Sequence, residues 1–183
     1  AERMTAQIRG LNMATKNAND GLSMLATVEN ATNDVTDMLQ RIRELAVQAA
    51  NDTNSLEDRT FLQTEVNSLL QEINRVATQT IYNNKVVLDG NLSGDFQVGT
   101  EKGQTIGFDI KSIDTHTLAL TNGTATTDGY DGTYVIAATN PQALSTGTAG
   151  AISILTATDA TNSLEKISDA LEQVAGNRAE YGA

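Results

Sequence analysis

Apolar and small residues recur every three or four positions from residue 2 to about residue 50, and no proline interrupts them. This alternation is typical of an α-helix with one buried stripe. At 1.5 Å per residue, about 48 helical residues form a rod of roughly 70 Å, more than twice the roughly 30 Å width of a small domain. We therefore expect an elongated molecule organised around this helix. The stripe contains Met4, Ile8, Leu11, Ala18, Leu22, Leu25, Val28, Val35, Met38, Ile42, Leu45 and Ala49.

A second helix is predicted from residue 56 to residue 80, after a break at 51–55 whose Asn, Asp, Thr and Ser residues favour a turn. Ser55 and Asp58 have the spacing of a capping box at its start. Because the connection is short, this helix should run back along the first one. Its apolar seam has heptad spacing and consists of Leu62, Val66, Leu69, Ile73 and Val76.

The last part of the chain, 152–183, predicts a third helix that starts near Thr156 or Ala157. Its seam steps by four and three residues through Ala160, Leu164, Ile167, Leu171, Val174, Arg178 and Tyr181. The predicted fold class is mainly α with a small β region. We expect an elongated antiparallel helical bundle, with one helix of about 48 residues and two shorter helices, and with β-hairpins packed on it.

Short strands and turn residues replace the helical pattern after residue 82. Turn signals at Asn83-Asn84 and Asp89-Gly90 flank the run 86–88, and two further strands are predicted near 96–98 and 105–110. We therefore divide the chain into three parts. The N-terminal part of a rod domain, 1–118, includes hairpins over 82–118; a variable outer loop or small insert spans 119–151; the C-terminal helix of the rod domain lies in 152–183.

The two shorter helices cover only about half of the first, because about 25 residues extend roughly 38 Å. The stripe through Met4, Ile8 and Leu11 therefore lacks a mate in this chain. Either a continuation beyond Ala183 or a partner subunit would supply one. Both ends of the sequence lie in helical register, so we expect a fragment of a longer protein.

Composition argues against several classes of function. The formal net charge of -11 disfavours nucleic acid and anionic membranes as partners, because both need clustered Lys and Arg. With no cysteine and one histidine, His116, the chain cannot form a thiolate site or the H-E-x-x-H arrangement of a zinc site. Asp128 and Asp131 lack the remaining ligands of a calcium loop, and no serine lies in a nucleophile elbow. We expect neither catalysis, nor a metal, nor a cofactor.

The chain contains six ordered motifs, namely QIRGL (7–11), KNANDG (16–21), LQRIRELAVQAAN (39–51), EINRV (72–76), FQVG (96–99) and NRAEYGA (177–183). Together they resemble the motifs of bacterial flagellin. The resemblance covers roughly 1–118 and 152–183. The resemblance implies a rod-domain fragment without the terminal inner-tube helices through which flagellins polymerise.

As a function, the resemblance implies a structural subunit of the flagellar filament, used in motility. Such a protein lies outside the cell and is exported by the flagellar secretion apparatus without a cleaved signal peptide. Its partners are other flagellin subunits, although a fragment of this kind would not polymerise by itself. The alternatives are a hook-filament junction protein, which shares helix patterns, and an enzyme carried on a flagellin scaffold.

Flagellins similar to this chain are also recognised by Toll-like receptor five through the rod domain. The resemblance carries the receptor contacts over to six positions, which are Arg41, Leu45 and Gln48 on the first helix, Glu65 on the second, and Gln40 and Leu62 beside them. Leu69 stands where some stimulatory flagellins carry Arg.

Two interpretations of these positions compete on physical grounds. Arg41 and Leu45 lie one turn apart, so they would present a guanidinium next to an apolar side chain, a combination that suits an interface anchor. Charged residues on a helix are more often a solvated face, and Glu65 fits such a face as well. Leu45 also belongs to the inward stripe, where a leucine is usually buried.

Overall fold

The computed structural model of the chain describes residues 1–88, 90, 92–111 and 152–182. In this part the elements are α1 (Glu2–Ala49), α2 (Leu56–Gln79), β1 (Ile81–Tyr82), β2 (Lys85–Val86), β3 (Leu92–Gln97), β4 (Thr105–Ile110) and α3 (Ala157–Tyr181). The predicted fold class, one long helix with two shorter helices and small hairpins, is confirmed. The predicted outer loop, 119–151, and the end of the predicted hairpin region, 112–118, lie outside the described residues.

α1 is a single unbroken helix of 48 residues. From Met24 to Ala49 its inward stripe is buried and forms most of the core, with Leu39, Ile42 and Leu45 among the largest fully buried side chains. Residues 1–13 include no buried residue. The helix therefore has a packed C-terminal half and an N-terminal end that projects from the bundle.

α2 runs antiparallel to α1, as the short connection predicts. Arg59 near its start bonds to the end of α1, and Glu65 further along bonds to Arg41. The predicted capping box is present, since Ser55 Oγ accepts from Asp58 N at 3.1 Å and the Asp58 carboxylate accepts from Ser55 N at 3.0 Å. Hydrogen bonding to the carboxylate from the Ser55 backbone N–H, and then from its hydroxyl, lowers the pKa of Asp58.

The C-terminus of α1 has no basic residue in its own last turn. Arg59 of α2 supplies one, because its Nε donates to the carbonyl oxygen of Ala49 at 2.9 Å and its Nη2 to that of Asn51 at 3.0 Å. The Asn54 amide adds a bond to the carbonyl oxygen of Gln48 at 2.6 Å. Carbonyls at a helix C-terminus lack partners within the helix and carry partial negative charge, so these donors stabilise the joint.

Gln63 joins α2 to the segment that precedes α3. It is buried, and its Oε1 accepts from Ile154 N at 2.7 Å while its Nε2 donates to the carbonyl oxygen of Ile152 at 3.3 Å. On the other side, Ser163 Oγ of α3 donates to the carbonyl oxygen of Ser153 at 2.6 Å. Alternate residues of this segment thus bond to α2 and to α3, which satisfies their buried backbone groups.

The heptad seams predicted for α2 and α3 are partly wrong. Four predicted seam residues are only half-buried, namely Leu62, Leu69, Leu164 and Leu171. The positions adjacent to them are buried instead, namely Gln63, Leu70, Ser163 and Ala170. A heptad seam describes contact with one neighbouring helix. Here 152–155 lie against Gln63 and Ser163 as an additional neighbour, which a two-helix pattern does not include.

The first hairpin turns at Asn83 and Asn84, whose φ angles are 51° and 64°. Positive φ at both central residues is the type I′ geometry, which Asn tolerates, so the predicted turn is confirmed. The predicted strand over 86–88 is shorter, because β2 ends at Val86 and the next two residues are buried in the core. The Tyr82 hydroxyl donates to the carbonyl oxygen of Asp20 at 3.0 Å, which fixes this hairpin on α1.

The second hairpin covers part of the N-terminal half of α1. β3 and β4 pair antiparallel over six residues each. Phe96 lies over Gly21, where an added Cβ would stand 3.3 Å from the ring, a distance too short for most side chains. Asn17 Nδ2 donates to the carbonyl oxygen of Gln97 at 3.0 Å. The small residue at position 21 therefore permits the close approach of this hairpin.

α3 lies antiparallel to α1. Its start adjoins α2 through Gln63, near the end of α1, and its last turn carries Tyr181, whose hydroxyl accepts from Lys111 N at 2.8 Å just after β4. Thr156 caps the helix by accepting from Asp159 N at 3.0 Å. The side of α3 that faces the core consists of Ala160, Ser163, Ile167, Ala170 and Val174.

Replacing Arg59 tests the joint between α1 and α2. We expect Arg59→Ala to lower the free energy of unfolding by about 1.5–3 kcal/mol, the usual range for hydrogen bonds that involve a charged group. Urea denaturation followed by circular dichroism measures this change. Arg9→Ala is the matched control, because Arg9 is exposed and should shift stability by less than about 0.5 kcal/mol. Equal effects of the two substitutions would contradict the assigned role of Arg59.

Leu45 and Gln48 lie almost one turn apart on α1 but differ in burial. We expect Leu45→Ala to lower the free energy of unfolding by about 2–5 kcal/mol, because it leaves a cavity in the core, and Gln48→Ala to change it by less than about 0.5 kcal/mol. Thermal and urea unfolding of both variants check the difference. A Leu45→Ala variant as stable as the wild-type chain would show that this side chain is not part of the core.

Candidate interaction surface on α1 and α2

Five polar residues come together where α1 and α2 run side by side. Four of them are predicted receptor contacts, and the fifth, Glu44, is bonded to Arg41. We call this group the Arg41 surface, and it consists of Gln40, Arg41, Glu44, Gln48 and Glu65. The first four lie on the solvent side of α1, and Glu65 lies on the facing edge of α2. The surface exists because the antiparallel packing of the helices brings positions 24 residues apart in sequence into contact.

Arg41 is the centre of this surface. Its Nε donates to Glu65 Oε1 at 2.8 Å across the two helices, and its Nη1 donates to Glu44 Oε2 at 3.1 Å on the same helix. The bonds to Glu65 and then to Glu44 favour the charged guanidinium and raise the pKa of Arg41. Its side chain is 47% exposed, so solvent screens both ion pairs. The pairs fix the direction of the guanidinium more than they stabilise the fold.

Two of the six predicted receptor contacts, Leu45 and Leu62, are less exposed than a contact residue requires. Leu45 is 1% exposed and packs in the core, so in this fold no partner reaches it, and we remove it from the contact set. Leu62 is half-buried between the helices and offers only an edge. The remaining four positions are Arg41, Gln48, Gln40 and Glu65, and the structure brings them together.

Val47 is an exposed apolar residue that the sequence interpretation did not single out. It is 56% exposed and belongs to a shallow depression on α1, whose lining residues are Gln40, Arg43, Glu44, Val47 and Gln48. The sequence carried a signal for it, because Val47 falls between the inward positions 45–46 and 49 and so off the buried stripe. Val47, and not Leu45, is the apolar side chain next to the glutamines of the Arg41 surface.

The described residues contain no group of three or more His, Asp or Glu side chains that could hold a metal ion. His116, Asp128 and Asp131, considered from the sequence, lie outside this part of the chain. Within the described helices, none has the length and the hydropathy that a membrane span requires. The candidate site consists of side chains that two helices present to solvent.

Comparison with known proteins agrees with this architecture. Two solved structures share the fold at 24% sequence identity. A flagellin from Bacillus cereus superposes with a TM-score of 0.65 over 91% of this chain and 81% of the other. FliC from Burkholderia pseudomallei superposes with a TM-score of 0.68 over 88% of this chain and 97% of the other.

Sequence comparison is more specific than the fold. A flagellin of Salmonella paratyphi A is 48% identical over 120 residues, which are 66% of this chain but 24% of that protein. Flagellin 1 of Proteus mirabilis is 47% identical over 121 residues, or 66% of this chain and 33% of that protein. The family described as the bacterial flagellin N-terminal helical region matches residues 1–93, which contain α1, α2 and the first hairpin. The chain therefore belongs to the bacterial flagellin family.

Proposed function

We propose that this chain forms the rod of a structural subunit of the bacterial flagellar filament. The observation that carries the proposal is the family match over residues 1–93, since these residues form the long helix, its antiparallel partner and the first hairpin. The 120 and 121 residues that align with two relatives are only 24% and 33% of those proteins, so the role of the whole protein is inferred from family membership. The proposal includes an extracellular location and export by the flagellar secretion apparatus without a cleaved signal peptide.

The shape of the rod suits lateral assembly. A helix of 48 residues is about 72 Å long, and much of its length presents side chains to solvent on at least one side. Contacts between different surfaces of identical subunits do not close, so they generate open helical filaments. In the family, polymerisation depends on helices outside the matched segment, and we therefore propose that this chain alone does not polymerise.

A rod exchange tests the filament role. A chimera in which residues 1–88 replace the residues aligned with them in a Salmonella flagellin should be exported and should restore filaments and swimming to a strain without flagellin. The same chimera with Val28→Asp is the control, because a carboxylate at this fully buried position breaks the packing of α1 and should abolish filaments. A chimera that is exported and helical by circular dichroism but forms no filament would contradict the proposal.

We also propose that the Arg41 surface is the part of the rod that Toll-like receptor five binds. Support comes from Arg41, Gln48, Gln40 and Glu65, four of the positions that the family resemblance assigns to the receptor, which form one exposed group on two helices. An interface centred on an oriented arginine agrees with the enrichment of arginine among residues that dominate binding energy.

The ion pairs of Arg41 prepare it for binding. Two of the five N–H groups of a guanidinium are used by Glu65 and Glu44, and the other three have no partner among the described residues. The free groups face solvent in a direction that Glu65 fixes from the second helix. Holding the side chain before binding reduces the conformational entropy that the complex loses, so Glu65 contributes as a positioning residue.

Charge reversal at Arg41 tests this assignment. We expect Arg41→Asp to weaken binding to the purified receptor ectodomain about tenfold or more, because it removes the donor and places three carboxylates together. Arg75→Asp is the matched control, since Arg75 is also an exposed arginine paired with a glutamate three residues away, but lies further along α2. Binding is measured by surface plasmon resonance. Unchanged affinity of Arg41→Asp, or equal losses for both variants, would refute the assignment.

A further inference from the structure

Phe61 on α2 is the most exposed large apolar side chain of the described residues, at 69%. Single exposed apolar residues are common on protein surfaces, so exposure alone does not indicate a partner. The position of Phe61 is more informative. It lies one helical turn before Glu65, whose carboxylate bonds to Arg41, and therefore on the same side of α2. Phe61 thus adjoins the Arg41 surface without being one of its members.

The antiparallel packing places Phe61 at the Gln48 end of that surface. Two bonds between the helices, at Arg41 and at the carbonyl oxygen of Ala49, lie on either side of Phe61 along the rod. Gln48 falls between these two bonds, nearly two turns after Arg41 and so on the same side of α1. The ring therefore adds an aromatic side chain to one end of an otherwise polar surface.

Carboxylates surround Phe61 on α2. The four positions one turn away from it on either side are Glu57, Asp58, Thr64 and Glu65. Asp58 caps the helix and Glu65 is paired across the helices, whereas Glu57 is exposed and forms no ion pair with another described residue. The face of an aromatic ring carries partial negative charge, so a ring among carboxylates attracts a cation.

We propose that Phe61 and Glu57 bind a cationic side chain, arginine or lysine, of the receptor that binds the Arg41 surface. This contact rests on the proposed receptor role and defines the chemistry of the partner at one edge of that surface. The cation lies over the ring and pairs with the carboxylate of Glu57. Arg41 requires an acceptor on the receptor, so the two contacts require opposite charges there. A rod docked in the reversed direction would bring like charges together, which makes the orientation specific.

The chain returns from 112–151 on the other side of α2. Gln63 is buried and bonds to the backbone at 152–154, and two residues correspond to about 200° around a helix, so Phe61 faces nearly away from this segment. Along the rod, Glu2 lies about 60 Å from the level of Phe61. The surroundings of Phe61 in this structure are therefore set by the packing of α1 against α2.

Substitution of Phe61 tests the contact. We expect Phe61→Ala to weaken binding to the purified receptor ectodomain about fivefold or more, and Phe61→Leu about threefold, because leucine is apolar but lacks the negative ring face. Leu56→Ala is the matched control, since Leu56 is 52% exposed on the same helix but lies about 140° around it. Surface plasmon resonance measures the affinities. Unchanged binding of Phe61→Ala or of Phe61→Leu, or an equal loss in Leu56→Ala, would overturn the proposal.

The salt dependence of binding tests the charge of the partner. Glu57→Gln should weaken binding about threefold at low ionic strength and make the affinity less sensitive to salt, because it removes an ion pair that salt screens. Glu172→Gln on α3 is the control, since it removes the same charge from another exposed position. Identical salt dependence of Glu57→Gln and the wild-type chain would contradict a cation at this contact.

Arg41→Asp in the same series separates this contact from the receptor role. Binding that is lost in Arg41→Asp and unchanged in Phe61→Ala would contradict the Phe61 contact alone. Binding that is unchanged in Arg41→Asp and weakened in Phe61→Ala would contradict the central role of Arg41 and support the contact at Phe61. Unchanged binding of both variants would contradict both proposals.

The Salmonella chimera tests whether another partner covers the ring. With Phe61→Ala, the chimera should still form filaments, and its monomer should bind the receptor ectodomain about fivefold more weakly than the unaltered chimera. Loss of filaments would assign Phe61 to a contact between subunits. Equal affinity of the two chimeras would show that another segment of the whole protein covers the ring. Either result would overturn the proposal.

Discussion

The structure depends on the burial of one stripe of α1, between Val28 and Ala49, by α2 and α3 together. The fully buried side chains of this stripe, among them Leu39 and Ile42, form the middle of the core. A helix this long is not stabilised by its own hydrogen bonds alone, and tertiary packing of an apolar face supplies most of the stability of helices in proteins. Two helices thus cover the rod along this stripe, and only the two hairpins cover it further toward its N-terminus.

The positions of the helices along the chain were predictable from the sequence. Which side of each shorter helix faces the core was not. The four-three spacing places α1 within one residue of its observed end, and the Ser55–Asp58 spacing locates the start of α2. The same spacing misplaces Leu62 and Leu69, because Gln63 faces the segment at 152–155, which is 89 residues away in sequence. Gln63 is buried because its side chain bonds to the backbone of Ile152 and Ile154. A buried polar residue of this kind does not follow the apolar spacing of the helix, so the pattern alone does not reveal it.

The candidate surface was predictable in part, for a related reason. Arg41 and Glu65 follow from the family resemblance, whereas their 2.8 Å ion pair follows from the register of two antiparallel helices. Leu45 illustrates the limit, since a single position served both the inward stripe and the proposed contact, and packing decided for the stripe. The family match over residues 1–93 confirms the predicted resemblance to bacterial flagellin.

The bonds at Lys111 and at Ile152 and Ile154 hold the backbone of the rod at the two junctions on either side of residues 112–151. Both junctions are held by side chains of the rod itself, the hydroxyl of Tyr181 and the amide of Gln63, acting on backbone groups. Backbone groups are the same for every amino acid except proline, so these hydrogen bonds do not depend on which side chains stand at the bonded positions. Evolution is therefore free to lengthen, shorten or replace the sequence between the junctions while the scaffold that carries it stays unchanged.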